Sequence, residues 1–182
     1  MSASRTFDLL ERIASLMRAE QRRAGKALGL EPVHLNVLAY LARANRFSDT
    51  PQAVGEYLGL TKGNMSQRLI WLEQNKLLRK EPDESDGRVV HLKLTAQGRN
   101  TLAKLHPPAI WRKGVPEADA LERALEAALE GILTEGGRRT FGQCHSCRFH
   151  EKRASGAHCA LLQVDLRPDQ IEKICREHEP AG

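Results

Sequence analysis

The residues best equipped for chemistry in this 182-residue chain are its four cysteines, all of which follow Phe141. Cys144-His145-Ser146-Cys147, Cys159 and Cys175 are spaced C-x2-C-x11-C-x15-C. Four thiolates, two of them held in one tight turn, suit a tetrahedral zinc ion or an iron–sulfur cluster, because both prefer soft sulfur donors. Zinc is the first expectation, as a staple for a segment too poor in apolar residues to build its own core. An iron–sulfur cluster is the alternative and a thiol–disulfide switch a third. His145, His150, His158 and His178 are available as substitutes or as outer hydrogen-bonding partners, although four cysteines already complete a site.

A second chemical group lies near the middle of the chain. Lys62, Asn64, Ser66, Gln67 and Arg68 fall on the open side of a helix whose inward side is Met65, Leu69 and Leu72. Short polar and long basic side chains are what base edges in a major groove can be read by. Arg88 follows at the tip of a hairpin, where a long cation can enter a minor groove, with Asp86 as the local partner that orients it. The plainer readings are a solvated helix face and a surface ion pair of small value. No Ser-His-Asp spacing, phosphate-binding glycine loop or H-E-x-x-H accompanies either group, so an enzyme is not expected. The competing functional class is a thiol or electron-transfer protein using Cys144 and Cys147, or an interaction module marked by the basic run from Arg148 to Arg153.

The elements that position these groups follow from periodicity. Leu9, Leu10, Ile13, Leu16 and Met17 recur at helical steps and predict a helix from Arg5 to about Leu28, ended by Gly29. Pro32 opens a second helix to Ala44. Thr50-Pro51 caps a short third one that stops at Leu58-Gly59, and Thr61 caps the fourth, so that two short helices joined at Gly59 form a helix-turn-helix. The period then changes to two: Leu78 and Val89–Leu94 predict two strands joined by the polar tip Asp83–Arg88. Thr95 starts a helix to Leu105, broken by Pro107-Pro108. From Glu117 to Glu135, Leu121, Leu125, Leu129, Ile132 and Leu133 form a stripe that needs cover, either within the monomer or from a second copy.

The stretch Gly59-Leu60-Thr61-Lys62-Gly63-Asn64-Met65-Ser66-Gln67-Arg68-Leu69, then Leu72-Glu73, Leu77-Leu78-Arg79, Asp86-Gly87-Arg88 and Leu92-Lys93-Leu94-Thr95-Ala96-Gln97-Gly98-Arg99, resembles the MarR family of bacterial regulators. The resemblance spans roughly residues 5 to 135. It implies a mainly helical fold with a small β-wing, a winged helix-turn-helix whose first and last long helices intertwine in a homodimer. It implies a transcriptional regulator, commonly a repressor, that binds a pseudo-palindrome in double-stranded DNA. By the same resemblance Thr61, Ser66 and Arg68 are phosphate contacts, while Asn64 and Gln67 can read adenine. Many relatives also take a small-molecule effector. The family pattern does not account for residues 138–182.

A net charge of +5 and a pI near 9.2 favour an anionic partner without naming one. No apolar run of about 18 residues and no signal peptide is evident, so a cytoplasmic protein with no membrane contact is expected. Gly136-Gly137 marks the expected boundary between a winged-helix and dimerisation domain, residues 1–137 with a DNA-binding core of about 32–99, and a four-cysteine extension, residues 138–182. If the extension senses a metal or redox signal, its adjacency to the last long helix offers a route to the dimer.

Overall fold

The computed structural model describes residues 3–115, 119–153 and 156–181. Helix α1 (Ala3–Gly25) runs into a 3-10 turn (Lys26–Leu28) and stops at Gly29, whose φ of 65° closes the turn. Helix α2 (Pro32–Arg43) begins with proline in its first turn, where a missing N–H costs nothing. Thr50 caps α3 (Pro51–Leu58) by accepting from the Ala53 N–H at 3.3 Å, and Thr61 caps α4 (Lys62–Gln74) by accepting from the Asn64 N–H at 3.4 Å. Between them Gly59 holds φ at 65°, the left-handed conformation that a two-helix corner demands and a side chain resists.

Strands β1 (Leu78–Pro82) and β2 (Val90–Leu94) pair antiparallel, Leu78 opposite Leu94 and Pro82 opposite Val90. Thr95 then caps α5 (Ala96–Leu105). At Gly98 a Cβ would stand 1.9 Å from the Leu77 carbonyl oxygen. Only glycine therefore lets α5 cross the start of the wing so closely, which gives a steric reason for the glycine of the Leu-Thr-x-x-Gly sequence. Beyond the proline break a short helix not expected from periodicity, α6 (Ala109–Gly114), precedes α7 (Asp119–Glu135). The expected start of the last long helix at Glu117 lies outside the described residues.

The interior is one aliphatic cluster beneath the helix-turn-helix and wing. Leu35, Val37, Leu38 and Tyr40 of α2 meet Ala53 and Val54 of α3, Met65, Leu69 and Leu72 of α4, and Leu77, Leu78, Leu92 and Leu94 of the wing. Helices α1 and α7 behave differently: Leu9, Ile13 and Leu16 on one, and Leu121, Leu125, Leu129 and Ile132 on the other, remain exposed, Ile132 to 65%. None of the described residues forms a helix long and apolar enough to cross a membrane.

The C-terminal extension, expected to need a staple and given no elements by periodicity, folds into a three-stranded antiparallel sheet ordered β3 (His150–Arg153), β4 (Gly156–Cys159) and β5 (Val164–Leu166), followed by a single helical turn, α8 (Pro168–Ile171). It is packed onto the winged-helix lobe. Phe141 and Ile174 enter the main core, with the Phe141 ring edge-on to Tyr40 and Tyr57 at 6.3 and 5.3 Å between centroids. Backbone bonds continue the contact: Ile174 N–H donates to the Arg43 carbonyl at 2.8 Å and Asn45 N–H to the Ile174 carbonyl at 2.9 Å.

Candidate nucleic-acid interface and cysteine cluster

The inward residues Met65, Leu69 and Leu72 fix the rotation of α4, so the opposite face is presented to solvent. Thr61, Lys62, Asn64, Ser66 and Gln67 are all exposed there. Arg68 is half-buried and differs from the rest, because its guanidinium is 3.0 Å from the Glu31 carboxylate at the start of α2. That pair ties the middle of α4 to α2. Beside it His34 stacks flat on Trp71, ring centroids 4.2 Å apart and planes within 3°. Burial, reinforced by the Arg68 charge and opposed by Glu31, holds the His34 pKa below the ordinary histidine value.

Arg88 stands at the wing tip with its side chain 92% exposed. The Asp86 carboxylate accepts from its Nε at 3.0 Å, from its Nη2 at 3.1 Å and from its backbone N–H at 3.0 Å, so the arginine is aimed by its neighbour two residues back. Asp83 shapes the rest of the tip, accepting from the Ser85 hydroxyl and from the Ser85 and Asp86 N–H groups. These bonds, with the Ser85 hydroxyl and His91 foremost, hold its carboxyl far below the usual range. The wing and α4 thus carry an exposed polar and basic surface on a rigid frame.

The wing has a second support that sequence reasoning missed. Asp49, 5% exposed in the α2–α3 loop, receives His91 Nδ1 at 2.5 Å and the Lys93 ammonium, and its carbonyl accepts the Leu92 N–H at 2.7 Å. His91 Nε2 lies 3.0 Å from Asp83, so each ring nitrogen faces a carboxylate. Burial opposes the imidazolium, but Asp49 and Asp83 outweigh it and raise the His91 pKa above its ordinary value. Forty-two residues separate His91 from Asp49, and no local motif announces such a pair.

The same loop faces the cysteines on its other side. Cys144 and Cys175 are buried and share a hydrogen bond, while Cys147 and Cys159 are partly exposed, and all four are free thiols. The hydrogen bond with Cys144, opposed by burial and aided by the Asn45 side chain, the Glu177 N–H and Ser48, lowers the Cys175 thiol below the ordinary cysteine value. The bond to Cys175 together with burial pushes Cys144 upward. Ala157, Cys159, Val164 and Leu166 pack on this pair from one face of the small sheet. His150 is the cross-strand partner of Cys159, so the two side chains rise from the same face; its backbone N–H donates to the Cys147 carbonyl at 3.0 Å, and its buried Nδ1 has no hydrogen-bond partner.

Thr140 and Ser146 hydroxyls lie 2.6 and 3.1 Å from the two ring nitrogens of buried His178, which braces the 144–147 turn, and His158 is turned to Asp165. Among the described residues, no three Cys, His, Asp or Glu side chains are gathered so that they could hold an ion as they stand. The donor set nevertheless suits a thiophilic metal in kind: two sulfurs already meet, a third packs against them, and His150, with an unpartnered ring nitrogen, sits across the strands from that third cysteine.

The sequence model of the MarR family matches residues 28–89, the stretch that carries α4 and the wing tip. No curated protein matches the chain. Among solved structures, CouR from Rhodococcus jostii, bound to p-coumaroyl-CoA, aligns with a TM-score of 0.58 at 20% identity over 68% of this chain and 88% of its own. AbsC, a MarR family transcriptional regulator from Streptomyces coelicolor, gives 0.58 at 19% identity over 75% and 97%. The S. aureus MepR–DNA complex gives 0.56 at 18% over 74% and 98%. The fold of this chain is accordingly the winged helix of these regulators.

Proposed function

We propose that this chain, with a MarR-matching winged helix at its centre, is a DNA-binding transcriptional regulator that acts as a homodimer and represses. One observation carries the reading: the exposed face Thr61, Lys62, Asn64, Ser66 and Gln67 stands on a frame whose wing presents Arg88 at 92% exposure, aimed by Asp86. Asn64 and Gln67 have the amide groups that pair with adenine, Lys62 and Arg68 the charge that meets phosphate or guanine, and Arg88 the reach for a minor groove. A dimer follows from the uncovered apolar stripes of α1 and α7. Two copies place two recognition helices on a pseudo-palindrome about one helical turn apart. MepR, of the same fold, has been solved on DNA, which supports the reading. Regulation is preferred to catalysis because the polar clusters described serve as braces, and it places the protein in the cytoplasm with the DNA.

The extension holds zinc through Cys144, Cys147, Cys159 and Cys175 in this reading, with an iron–sulfur cluster as the competing occupant. Zinc, when bound, supplies a cross-link between the 144–147 turn, β4 and the Cys175 turn. A small-molecule effector has room in a cavity of about 480 Å³ between lobe and extension, lined by six cations, Arg46, Arg99 and Lys173 among them, against two carboxylates, Asp49 and Glu81, a net positive lining suited to an anion.

Fluorescence anisotropy with duplex fragments from the chain's own promoter region tests the reading, together with sedimentation of the free protein. Salt-dependent binding of a pseudo-palindrome, at least about a thousandfold tighter than to random duplex, by a dimer is expected. Equal affinity for random and promoter DNA overturns it. Absorption spectra and elemental analysis of anaerobically purified protein separate zinc from iron–sulfur.

A further inference from the structure

Five consecutive residues of the α2–α3 loop, Asn45 to Asp49, are bonded to the cysteine segment on one side and to the wing on the other. Asn45 is 1% exposed; its side-chain amide donates to Cys144 Sγ at 3.6 Å, while its side-chain oxygen accepts the Phe47 N–H at 3.0 Å. Arg46 N–H donates to the side-chain oxygen of buried Gln170 at 3.0 Å. Ser48, fully buried, accepts the N–H of Arg176, the residue after Cys175, at 2.8 Å, and its carbonyl accepts the Tyr40 hydroxyl at 2.8 Å. Asp49 then holds His91, Lys93 and the Leu92 N–H. Arg176 adds a bidentate bond to Glu56 of α3 at 2.7 and 2.8 Å, so the residue beside Cys175 is also fixed to the first helix of the helix-turn-helix.

We infer that the metal site is shared between the two parts of the chain: its ligands come from the extension, but its outer hydrogen-bonding groups, Asn45 and Ser48, come from the DNA-reading lobe. Occupancy of the cysteines thereby sets how firmly residues 45–49 hold β2, and so how well the wing is positioned for DNA. The inference rests on the reading of the four cysteines as metal ligands. N–H groups directed at a ligand sulfur stabilise its negative charge and fix its orientation, and such outer groups typically change metal affinity by about 10–100-fold. Coupling of binding free energies is reciprocal, so a loop that tightens the metal is tightened by it, and DNA affinity rises by the factor by which DNA raises metal affinity. The route bypasses α7: among the described residues the hydrogen bonds that anchor the extension beyond Arg138 run to residues 43–56, and none runs to the last long helix.

The full-length protein is titrated with cobalt(II) after chelation, following the sulfur-to-cobalt charge-transfer absorption, with hydrogen exchange of the amides of Asn45, Leu92 and Arg176 before and after loading. The wild type is expected to show the thiolate band and at least about tenfold slower exchange at the three amides once loaded. Asn45→Asp keeps the acceptor for Phe47 and removes the donor to Cys144. It is expected to weaken cobalt at least about tenfold, whereas a role confined to shaping the loop leaves affinity unchanged. Ser48→Ala provides a second variant, and the wild-type exchange pair needs none. Normal cobalt uptake with unmoved Leu92 exchange and unchanged affinity in Asn45→Asp overturns the shared site while the metal reading survives. No thiolate band in the wild type overturns both, with DNA binding of the same sample showing that the protein is folded.

Discussion

In the winged-helix lobe the interior is built from large aliphatic side chains, Leu35, Leu38, Leu72, Leu78 and Leu92 among them, each almost completely buried. In the extension the corresponding cluster is Ala157, Leu166, Cys144 and Cys175, so half of its fully buried members are thiols. Burial of a leucine contributes about 1.5–3 kcal/mol, and the lobe has many such contributions to set against chain entropy. The extension has few and leans instead on the lobe, through Phe141 and Ile174. One part is held by water's exclusion and the other by docking, and the two respond to different insults.

The sharpest way to separate them is to damage each interior. Leu72→Ala is expected to cost the lobe about 2–5 kcal/mol, seen as a lowered denaturation midpoint for the whole chain and loss of DNA binding. Should it melt only the extension, the division of labour is wrong. Next in size, chelation or the pair Cys144→Ser and Cys175→Ser is expected to speed protease cleavage beyond Gly137 by about tenfold or more while the lobe keeps its midpoint within about 1 kcal/mol. A midpoint that falls as far as in Leu72→Ala would mean that the lobe depends on the sulfurs.

Smaller effects probe the lobe alone. Arg88→Ala is expected to weaken DNA binding by about 1–3 kcal/mol without moving thermal stability, since the side chain is 92% exposed and bonded to its near neighbour Asp86. Thr61→Ala removes the cap of α4 and is expected to cost about 1 kcal/mol of stability, read by chemical denaturation. Last comes pH. The folded His91 pKa lies above its ordinary value of 6.5, so its contribution is complete below about 6.5 and fades as pH rises through the folded value. Stability measured across that interval is expected to decline with rising pH, and His91→Gln to flatten the decline; an unchanged slope in the variant assigns it to another group.

Helix starts at Pro32, Thr50-Pro51, Thr61 and Thr95 were legible because capping is local: a hydroxyl and an N–H three residues on lie in one reading window. The wing was legible from period two. The extension's sheet was not, because β5 is only three residues long and β3 is four charged or polar ones, giving no apolar alternation to follow. Asn45 and Cys144 meet across ninety-nine residues, and Arg68 is drawn partly away from the open face by Glu31, thirty-seven residues earlier in the chain. Such pairings are made by the tertiary fold, and nothing in the spacing of either residue announces them. Asp49 and His91 read as ordinary loop and strand residues until the wing is laid against the loop.

The stack of His34 on Trp71 gives the molecule an optical voice. Trp71 lies in α4, one turn beyond Arg68, and shares the chain with a single other tryptophan, Trp111 in α6. His34 Nδ1 accepts the Glu31 N–H at 3.2 Å and so carries no proton of its own, and the imidazolium that dims an indole in face contact forms only as pH falls below the ordinary histidine value. A Trp111→Phe variant therefore leaves a lone emitter on α4 whose intensity is expected to fall as pH drops, so that the seam between α2 and α4 reports on itself without an attached dye.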